Sequence, residues 1–459
     1  MSSALERIDV YVQRHWSSFD TPGLALALTD RERPIGGLVR GLANIDARAP
    51  ITHAHRFQIG SVSKGLTAMA ILTEVEAGRV DLDAPVTEYL PWFQVPSRFG
   101  RPVTIHHLLS HTAGLACGLD SAGDAVAELL LLLESEIGTE PGTRFAYSNA
   151  GYKALGLVVE ASSGRPWWEV VRRRVMEPIG MGACDVVITN DVRPRLAVGY
   201  ATPFDDRPWQ PDHDWAPSPW FESVTADGSI CATAEELTAY ARLLLARGRG
   251  VIAGPSFDRM TARVAPDPED PDHVYGYGVR WIGGDRLLGH SGGMIGFTAF
   301  LLVDVASGFG ATVLMNSGFG SYRFELVRFA LACLDAEAAG EPMPEVPPPP
   351  PAEPSEPPAP GDGDGPPGWE ALVGRYRSWN PWAPILDVTE RKGRLWSSLV
   401  GDATDFGEQE QELVPLEDGR FRVGQDWSPD RLRFETFVEG RATWAFLDGA
   451  PFARVSVPG

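Results

Sequence analysis

Residues 341–368 are so rich in proline and glycine that they divide the chain into two parts. The segment contains five consecutive prolines, Pro347 to Pro351, and later an alternating Gly-Asp-Gly-Asp-Gly run at 361–365. Such a composition cannot bury a core and favours extended, partly polyproline backbone. The sequence therefore predicts a first domain over residues 1–340, a linker over 341–368 and a second domain over 369–459.

Overall composition fits a globular protein of this organisation and argues against several partners. The chain has 459 residues, 44% of them hydrophobic, and a formal net charge of −21. That charge repels phosphate backbones and anionic headgroups, so neither nucleic-acid nor membrane binding is expected. No apolar run approaches membrane-spanning length and the first residues lack the features of a secretion signal, so we expect a cytoplasmic protein.

The hydrophobic pattern of the first domain mixes helical and strand periods. Leu5, Ile8, Val12 and Trp16 share one helical face. Helices are predicted over residues 3–19, 61–78, 125–137, 150–162, 233–246 and 322–336, and strands over 24–29, 36–44, 297–303 and 311–316. This mixture predicts an α+β fold.

The second domain reads as a series of β-hairpins. Its short alternating segments are interrupted by Lys392-Gly393, Asp418-Gly419, Glu439-Gly440 and Asp448-Gly449. Pairs of this type favour the tight turns of antiparallel hairpins. The pattern predicts a small antiparallel β-barrel.

Ser61 and Lys64 form the most informative short motif of the chain. They stand three residues apart at the start of a predicted helix, so their side chains share a face. A serine hydroxyl becomes a good nucleophile when a neighbouring base takes its proton. Only Lys64, Lys153 and Lys392 are lysines among 40 basic residues, and lysine, unlike arginine, can lose its proton in a protein. The alternative is a lysine that extends from a helix to solvent.

Two further motifs offer groups for the same chemistry. Tyr147 and Asn149 precede a predicted helix, where a phenol can relay a proton and an amide can orient a substrate carbonyl. The simpler interpretation is a packing tyrosine and a helix cap. His290 follows in the sequence Gly-His-Ser-Gly-Gly at 289–293, whose glycines allow close approach of a substrate backbone.

Ser291 is a rival nucleophile because residues 289–293 also match G-x-S-x-G. That motif acts as a nucleophile elbow only between a strand and a helix. The residues that follow, Phe297 to Val303, have the pattern of a strand. We therefore predict that Ser61, and not Ser291, is the nucleophile.

Ser-x-x-Lys, Tyr-x-Asn and His-x-Gly in this order resemble the serine β-lactamase and penicillin-binding protein superfamily, most closely its class C-like branch of esterases, D-aminopeptidases and D-Ala-D-Ala carboxypeptidases. The resemblance covers about residues 5–335 and implies an antiparallel sheet sandwiched by helices plus an all-helical subdomain. It implies that Ser61 is acylated, that Lys64 and Tyr147 handle protons, and that the amides of Ser61 and Gly293 form the oxyanion hole. The other site residues it implies are His290 in the third motif and, for substrate binding, Asn149, Ser291, Gly292 and Gly293.

The third motif departs from many β-lactamases, which have lysine where this chain has His290. Imidazole is largely neutral at pH 7, so efficient hydrolysis of carboxylate-bearing antibiotics is not expected. The tail resembles a lipocalin-like domain appended to some family members. There Arg454 is a candidate for binding a substrate carboxylate, the alternative being a solvated surface charge.

No cofactor or metal is expected. His53, His55, His106, His107 and His111 lack the further ligands of a metal site at usual spacing. Cys117, Cys184, Cys231 and Cys333 are expected to be reduced thiols.

The prediction is a serine acyl hydrolase that acts through an acyl-enzyme on an ester or peptide, including substrates that contain a D-amino acid. The alternatives are an acyl transferase or peptide macrocyclase, and a non-catalytic sensor or scaffold. Oligomeric state does not follow from the sequence.

Overall fold

The computed structural model describes residues 2–201, 214–268, 272–318, 322–349, 368–400 and 410–455. They form two compact units. Of these described residues, the first unit contains those within Met1–Ala84, Leu155–Ala201 and Trp215–Glu353, and the second contains those within Pro85–Ala154, Thr202–Asp214 and Pro354–Gly459.

The first unit is built on a nine-stranded antiparallel sheet. The strands are β1 (Gly23–Thr29), β2 (Pro34–Asn44), β3 (Ala49–Pro50), β8 (Ala265–Pro266), β9 (His273–Tyr275), β10 (Arg280–Ile282), β11 (Leu287–Met294), β12 (Phe297–Asp304) and β13 (Phe309–Met315). Their order in the sheet is β3-β2-β1-β13-β12-β11-β10-β9-β8. Two small two-stranded sheets pair β4 (Phe57–Gln58) with β7 (Cys231–Ala232) and β5 (Tyr200–Ala201) with β6 (Ala216–Pro217).

Helices cover both faces of this sheet because its central strands are apolar on both sides. The helices α1 (Ser3–Arg14) and α9 (Arg323–Ala339) share a core with Leu24, Leu26 and Val313. The helix α7 (Ala234–Leu245) packs on the opposite face, where the Thr312 hydroxyl donates to the Ala234 carbonyl over 2.9 Å. These layers confirm the predicted α+β sandwich.

The other helices of this unit include the one that follows Ser61. They are α2 (Ser63–Glu76), α6 (Trp167–Val171) and α8 (Gly254–Met260), and a π-helical turn covers Arg172–Met176. Most residues of α2 are buried, which explains why polar side chains do not line one face of this helix. Residues 341–349 of the predicted linker belong to this unit, and the Arg7 guanidinium of α1 donates to the Pro344 carbonyl over 2.8 Å. Residues 350–367 lie outside the described residues.

The second unit combines short helices with a closed barrel. The helices are α3 (Ile105–Leu109), α4 (Ala125–Leu131) and the beginning of α5 (Asn149–Ser163). The helix predicted to reach residue 137 ends at Leu131 and continues as a 3₁₀ turn to Glu134, where the Ser135 hydroxyl bonds to the Leu132 carbonyl.

The predicted β-barrel is confirmed as a closed barrel of eight antiparallel strands. The strands are β14 (Gly374–Arg377), β15 (Ile385–Arg391), β16 (Arg394–Val400), β17 (Gln411–Pro415), β18 (Phe421–Val423), β19 (Arg431–Val438), β20 (Arg441–Leu447) and β21 (Ala450–Arg454). Leu119 of the helical segment is buried in the barrel core. The barrel and the helical segment around α4 therefore share one compact unit. The domain boundaries that the sequence indicates at residues 340 and 369 stay predictions.

Candidate active site

Ser61 and Lys64 meet at the start of α2, as predicted. Ser61 lies in a 3₁₀ turn, Gly60–Val62, that leads directly into the helix. The Lys64 amine lies 2.9 Å from the Ser61 Oγ and donates to the Asp227 carbonyl over 3.1 Å. Lys64 has no exposed surface and Ser61 is 9% exposed. The lysine is therefore a buried partner of the serine, and the alternative of a lysine reaching to solvent is wrong.

Glycine allows β11 to approach the Ser61 turn closely. A Cβ at Gly60, whose φ is +50°, would lie 2.4 Å from the Gly293 carbonyl oxygen. A Cβ at Gly292 would lie 2.0 Å from the Ile59 carbonyl oxygen and 3.3 Å from the Ser61 nitrogen. Side chains at either position would separate the strand from the turn. The backbones that carry the amides of Ser61 and Gly293 are thus held side by side.

Ser291 is placed inside a strand. Residues 289–293 belong to β11, and Ser291 pairs with Phe300 of β12. β11 is followed directly by β12 and not by a helix, so the strand-turn-helix arrangement of a nucleophile elbow does not exist here. The interpretation of Ser291 as an elbow nucleophile is therefore wrong.

His290 is buried in β11 with both ring nitrogens in polar contacts. Its Nδ1 lies 2.5 Å from the Ser291 carbonyl oxygen, and its Nε2 lies 2.9 Å from the Tyr275 hydroxyl. A carbonyl can only accept, so Nδ1 carries the proton and the Tyr275 hydroxyl donates to Nε2. Burial, and secondarily the charge of Arg280, lowers the pKa of His290 well below 6.5. The ring is therefore neutral at pH 7. Tyr275, its partner, was not foreseen from the sequence.

Tyr147 and Asn149 lie in the second unit, at the start of α5. The Tyr147 ring lies 4.2 Å, centroid to centroid, from His111. The His111 Nδ1 accepts from the Ser148 amide over 3.0 Å, which fixes the turn between Tyr147 and Asn149. Ser61, Lys64 and His290 belong to the first unit, so the convergence of the two sets on one cleft is a proposal.

A buried charged cluster next to Asn149 was missed in the sequence. The Asn149 Nδ2 donates to the Asp120 Oδ2 over 3.1 Å. The other oxygen of Asp120 pairs with the Lys153 amine, which also lies 3.9 Å from the Glu128 carboxylate. Lys153 is 1% exposed. The sequence feature that could have indicated this cluster is the position of Lys153, four residues after Asn149 and on the same face of a mostly apolar helix.

Arg454 has mainly contacts within its own barrel. Its guanidinium donates to the carbonyls of Ala371 over 3.1 Å and Ala442 over 2.9 Å, and also to the Val373 carbonyl. It stacks over the ring of Tyr376. These contacts favour a role in holding the barrel closed, and the substrate-binding role stays a prediction.

Two of the histidines weighed as metal ligands have other polar partners. The Thr104 amide donates to the His107 Nδ1 over 3.1 Å in a capping box at the start of α3, and His53 lies 3.3 Å from Glu235. Across the described ranges, no three His, Cys, Asp or Glu side chains cluster as a metal site would require. Nor does any helix in the described part of the chain have the length and apolarity to cross a bilayer.

The fold and the paired serine and lysine agree with the comparison to known families. The Beta-lactamase family model matches residues 8–332, and the chain belongs to this family.

Particular relatives extend this assignment. Penicillin-binding protein 4 of Amycolatopsis lactamdurans is 31% identical over 358 residues, covering 74% of this chain and 91% of that protein. The octameric penicillin-binding protein homologue from Pyrococcus abyssi matches with a TM-score of 0.63 and 21% identity, over 98% of this chain and 99% of that one. The D-amino acid amidase from Ochrobactrum anthropi SV3 matches with a TM-score of 0.63 and 23% identity, over 73% of this chain and 100% of that one. At these identities the two structural matches show a common fold.

Proposed function

We propose that the protein is a serine acyl hydrolase that forms an acyl-enzyme on Ser61. The observation that carries the proposal is the 2.9 Å contact between the Lys64 amine and the Ser61 hydroxyl, with the lysine wholly buried. A lysine can take the serine proton only from its neutral form, and burial favours the neutral amine over the charged one. The helix that begins at Ser63 adds a dipole that favours negative charge near Ser61.

In the first half-reaction, the Ser61 Oγ attacks the carbonyl carbon of an ester or amide and its proton passes to the Lys64 amine. The carbonyl oxygen becomes an oxyanion, for which the N–H groups of Ser61 and Gly293 are the donors. Each such donor contributes on the order of 3 kcal/mol to the transition state. The bond to the leaving group then breaks, and the leaving group takes a proton that Lys64 passes on through the Tyr147 phenol.

In the second half-reaction, water attacks the acyl-enzyme. Its proton goes to the same pair of residues, the acyl–Oγ bond breaks, and the Ser61 hydroxyl recovers its proton as the acid leaves. Acyl transfer would share the first half, with an amine attacking in place of water.

The substrates proposed are esters and amides, including D-aminoacyl amides, without an obligatory carboxylate beside the scissile bond. The family of the chain and its structural likeness to a D-amino acid amidase support this class. The neutral His290 supports it as well, because it offers no permanent cation at the third motif.

Hydrolysis of p-nitrophenyl acetate and of D-alanine p-nitroanilide by the wild type and Ser61→Ala tests this proposal. We expect Ser61→Ala to lose at least about a thousandfold in rate, because the covalent step is gone. Its melting temperature should change by only a few degrees, since one hydroxyl contact contributes about 1 kcal/mol. A Ser61→Ala protein that keeps more than about a hundredth of the rate would contradict the proposal.

A further inference from the structure

We propose that Asp120, neutralised by Lys153 and held by the C-terminal barrel, is a positioning residue that fixes the Asn149 amide for substrate. The inference rests on the proposed function, in which Asn149 contacts a carbonyl of the substrate. It concerns residues of the second unit alone.

The contact with Asp120 decides which way the Asn149 amide faces. An asparagine side chain can present either its oxygen or its nitrogen to a neighbour. A carboxylate only accepts hydrogen bonds, so the Asp120 Oδ2 selects the Nδ2 group, which it meets at 3.1 Å. Because Nδ2 carries two hydrogens in one plane, this bond also fixes the direction of the second N–H.

Lys153 allows a carboxylate to occupy this buried position. Asp120 is 8% exposed, and an unpaired charge there would be costly. Lys153 pairs with it from the next turn of α5, so Asn149 and the cation stand on one helix face. The Glu128 carboxylate accepts from the Asp120 amide over 2.9 Å and holds the backbone of the same residue.

The barrel fixes the residue that precedes Asp120. The Asn380 side chain donates to the Leu119 carbonyl over 2.5 Å, and the Leu119 side chain is part of the barrel core. Asp120 itself has a φ of +52°, a left-handed conformation that needs such support in a residue other than glycine. The chain of contacts runs from the barrel through Leu119 and Asp120 to Asn149.

The test uses Asp120→Asn, because asparagine also tolerates a left-handed φ and keeps the size while removing the charge. Two substrates are compared: N-acetyl-D-alanine p-nitrophenyl ester, which has a second carbonyl for Asn149, and p-nitrophenyl acetate, which has none. Asn149→Ala and the double variant complete a double-mutant cycle. Lys153→Met tests the same positioning of Asn149 by removing the cation that pairs with Asp120. The control is Arg433→Met, which removes a barrel ion pair to Glu134.

We expect Asp120→Asn to reduce the ratio of kcat/KM for the two esters about tenfold or more, because its single oxygen cannot accept from both Asn149 and Lys153 and its amide group can also donate, so that it no longer fixes the Asn149 side chain. In the Asn149→Ala background the same change should have no further effect on that ratio. Lys153→Met should act in the same direction, and Arg433→Met should leave the ratio unchanged. Melting temperatures identify any variant that has lost its fold.

The inference would be overturned if folded Asp120→Asn left the ratio of kcat/KM for the two esters unchanged. It would also be overturned if Asp120→Asn lowered that ratio equally in the wild type and in Asn149→Ala. Failure of the proposed function is a separate result, because the wild type would then hydrolyse neither ester and would not react with a fluorophosphonate.

Discussion

At the scale of single residues, the most informative feature is that the partner of Ser61 is a lysine. The chain uses arginine for nearly all of its cations, yet the position one turn after Ser61 is Lys64, buried and 2.9 Å from the hydroxyl. Arginine keeps its proton in proteins, whereas lysine can exchange one. The choice of lysine at position 64 and its burial therefore indicate that this residue transfers a proton and does not act through its charge alone.

Lys64→Arg should accordingly be nearly as inactive as Lys64→Met, with a loss of about a thousandfold in kcat, because retained charge does not replace a base. Steady-state rates on p-nitrophenyl acetate for the two variants provide the measurement. An arginine variant that keeps more than about a tenth of the wild-type rate would show that Lys64 acts only electrostatically.

His290 supports a prediction about pH. Burial lowers its pKa well below 6.5, so the ring is neutral throughout the neutral range and becomes charged only in acid. The pH profile of kcat/KM for p-nitrophenyl acetate should therefore show no inflection near about pH 6.5 that belongs to this residue. If such an inflection is present in the wild type and absent in His290→Gln, the neutral assignment is wrong.

Some of the site residues could be predicted from the sequence and others could not, for a physical reason. Ser61 and Lys64 are three residues apart on one helix, so local periodicity alone brings them together. Asp120 and Lys153 are separated by 33 positions, and Tyr275 and His290 by 15 positions across the sheet. Contacts of this kind depend on tertiary packing, which no local pattern contains.

At the scale of elements, the hairpins of the barrel were predictable because their turns are chemically explicit. Lys392-Gly393, Glu439-Gly440 and Asp448-Gly449 each link two strands by a two-residue turn, and both residues of each turn have positive φ. Glycine at the second position favours this geometry. The early end of α4 was not predictable in the same way, because Leu132 and Leu133 continue its apolar pattern.

One of these turns also brings two acids together. The Asp448 carboxyl lies close to that of Asp430, and its Oδ1 accepts from the Arg431 amide over 2.9 Å. Burial, and for Asp448 also the charge of Asp430, raises the pKa values of both carboxyls. The native barrel therefore keeps a proton that the unfolded chain loses above about pH 4.

The native state binds this proton more tightly than the unfolded chain does. The proton therefore stabilises the fold most in acid, and this stabilisation is lost as the pH rises through the raised native pKa. As the pH rises from about 4, the ordinary pKa of an aspartate, to about 8, the melting temperature of the wild type should fall more than that of Asp448→Asn, which stays neutral. Parallel pH dependence of the two proteins would contradict the raised pKa of Asp448.

At the scale of the whole molecule, the chain order predicted two domains but could not show which parts pack together. The helical segment around α4 belongs to one compact unit with the barrel, although the linker separates them in sequence. Arg431 of the barrel pairs with Glu136 over 3.0 Å, and Arg144 stacks over Trp427. Ion pairs and ring contacts between distant segments leave no local signature in a single sequence.

The central claim, that Ser61 is the residue acylated, is tested most directly by locating a covalent adduct. A fluorophosphonate reacts with an activated serine, and trypsin separates the candidates, since Ser61 falls in residues 57–64 and Ser291 in residues 287–323. Tandem mass spectrometry then distinguishes Ser61 from Ser63 in the shorter peptide. We expect an adduct on Ser61 in the wild type and in Ser291→Ala, and none in Ser61→Ala. An adduct on Ser291, or one that persists in Ser61→Ala, would contradict it.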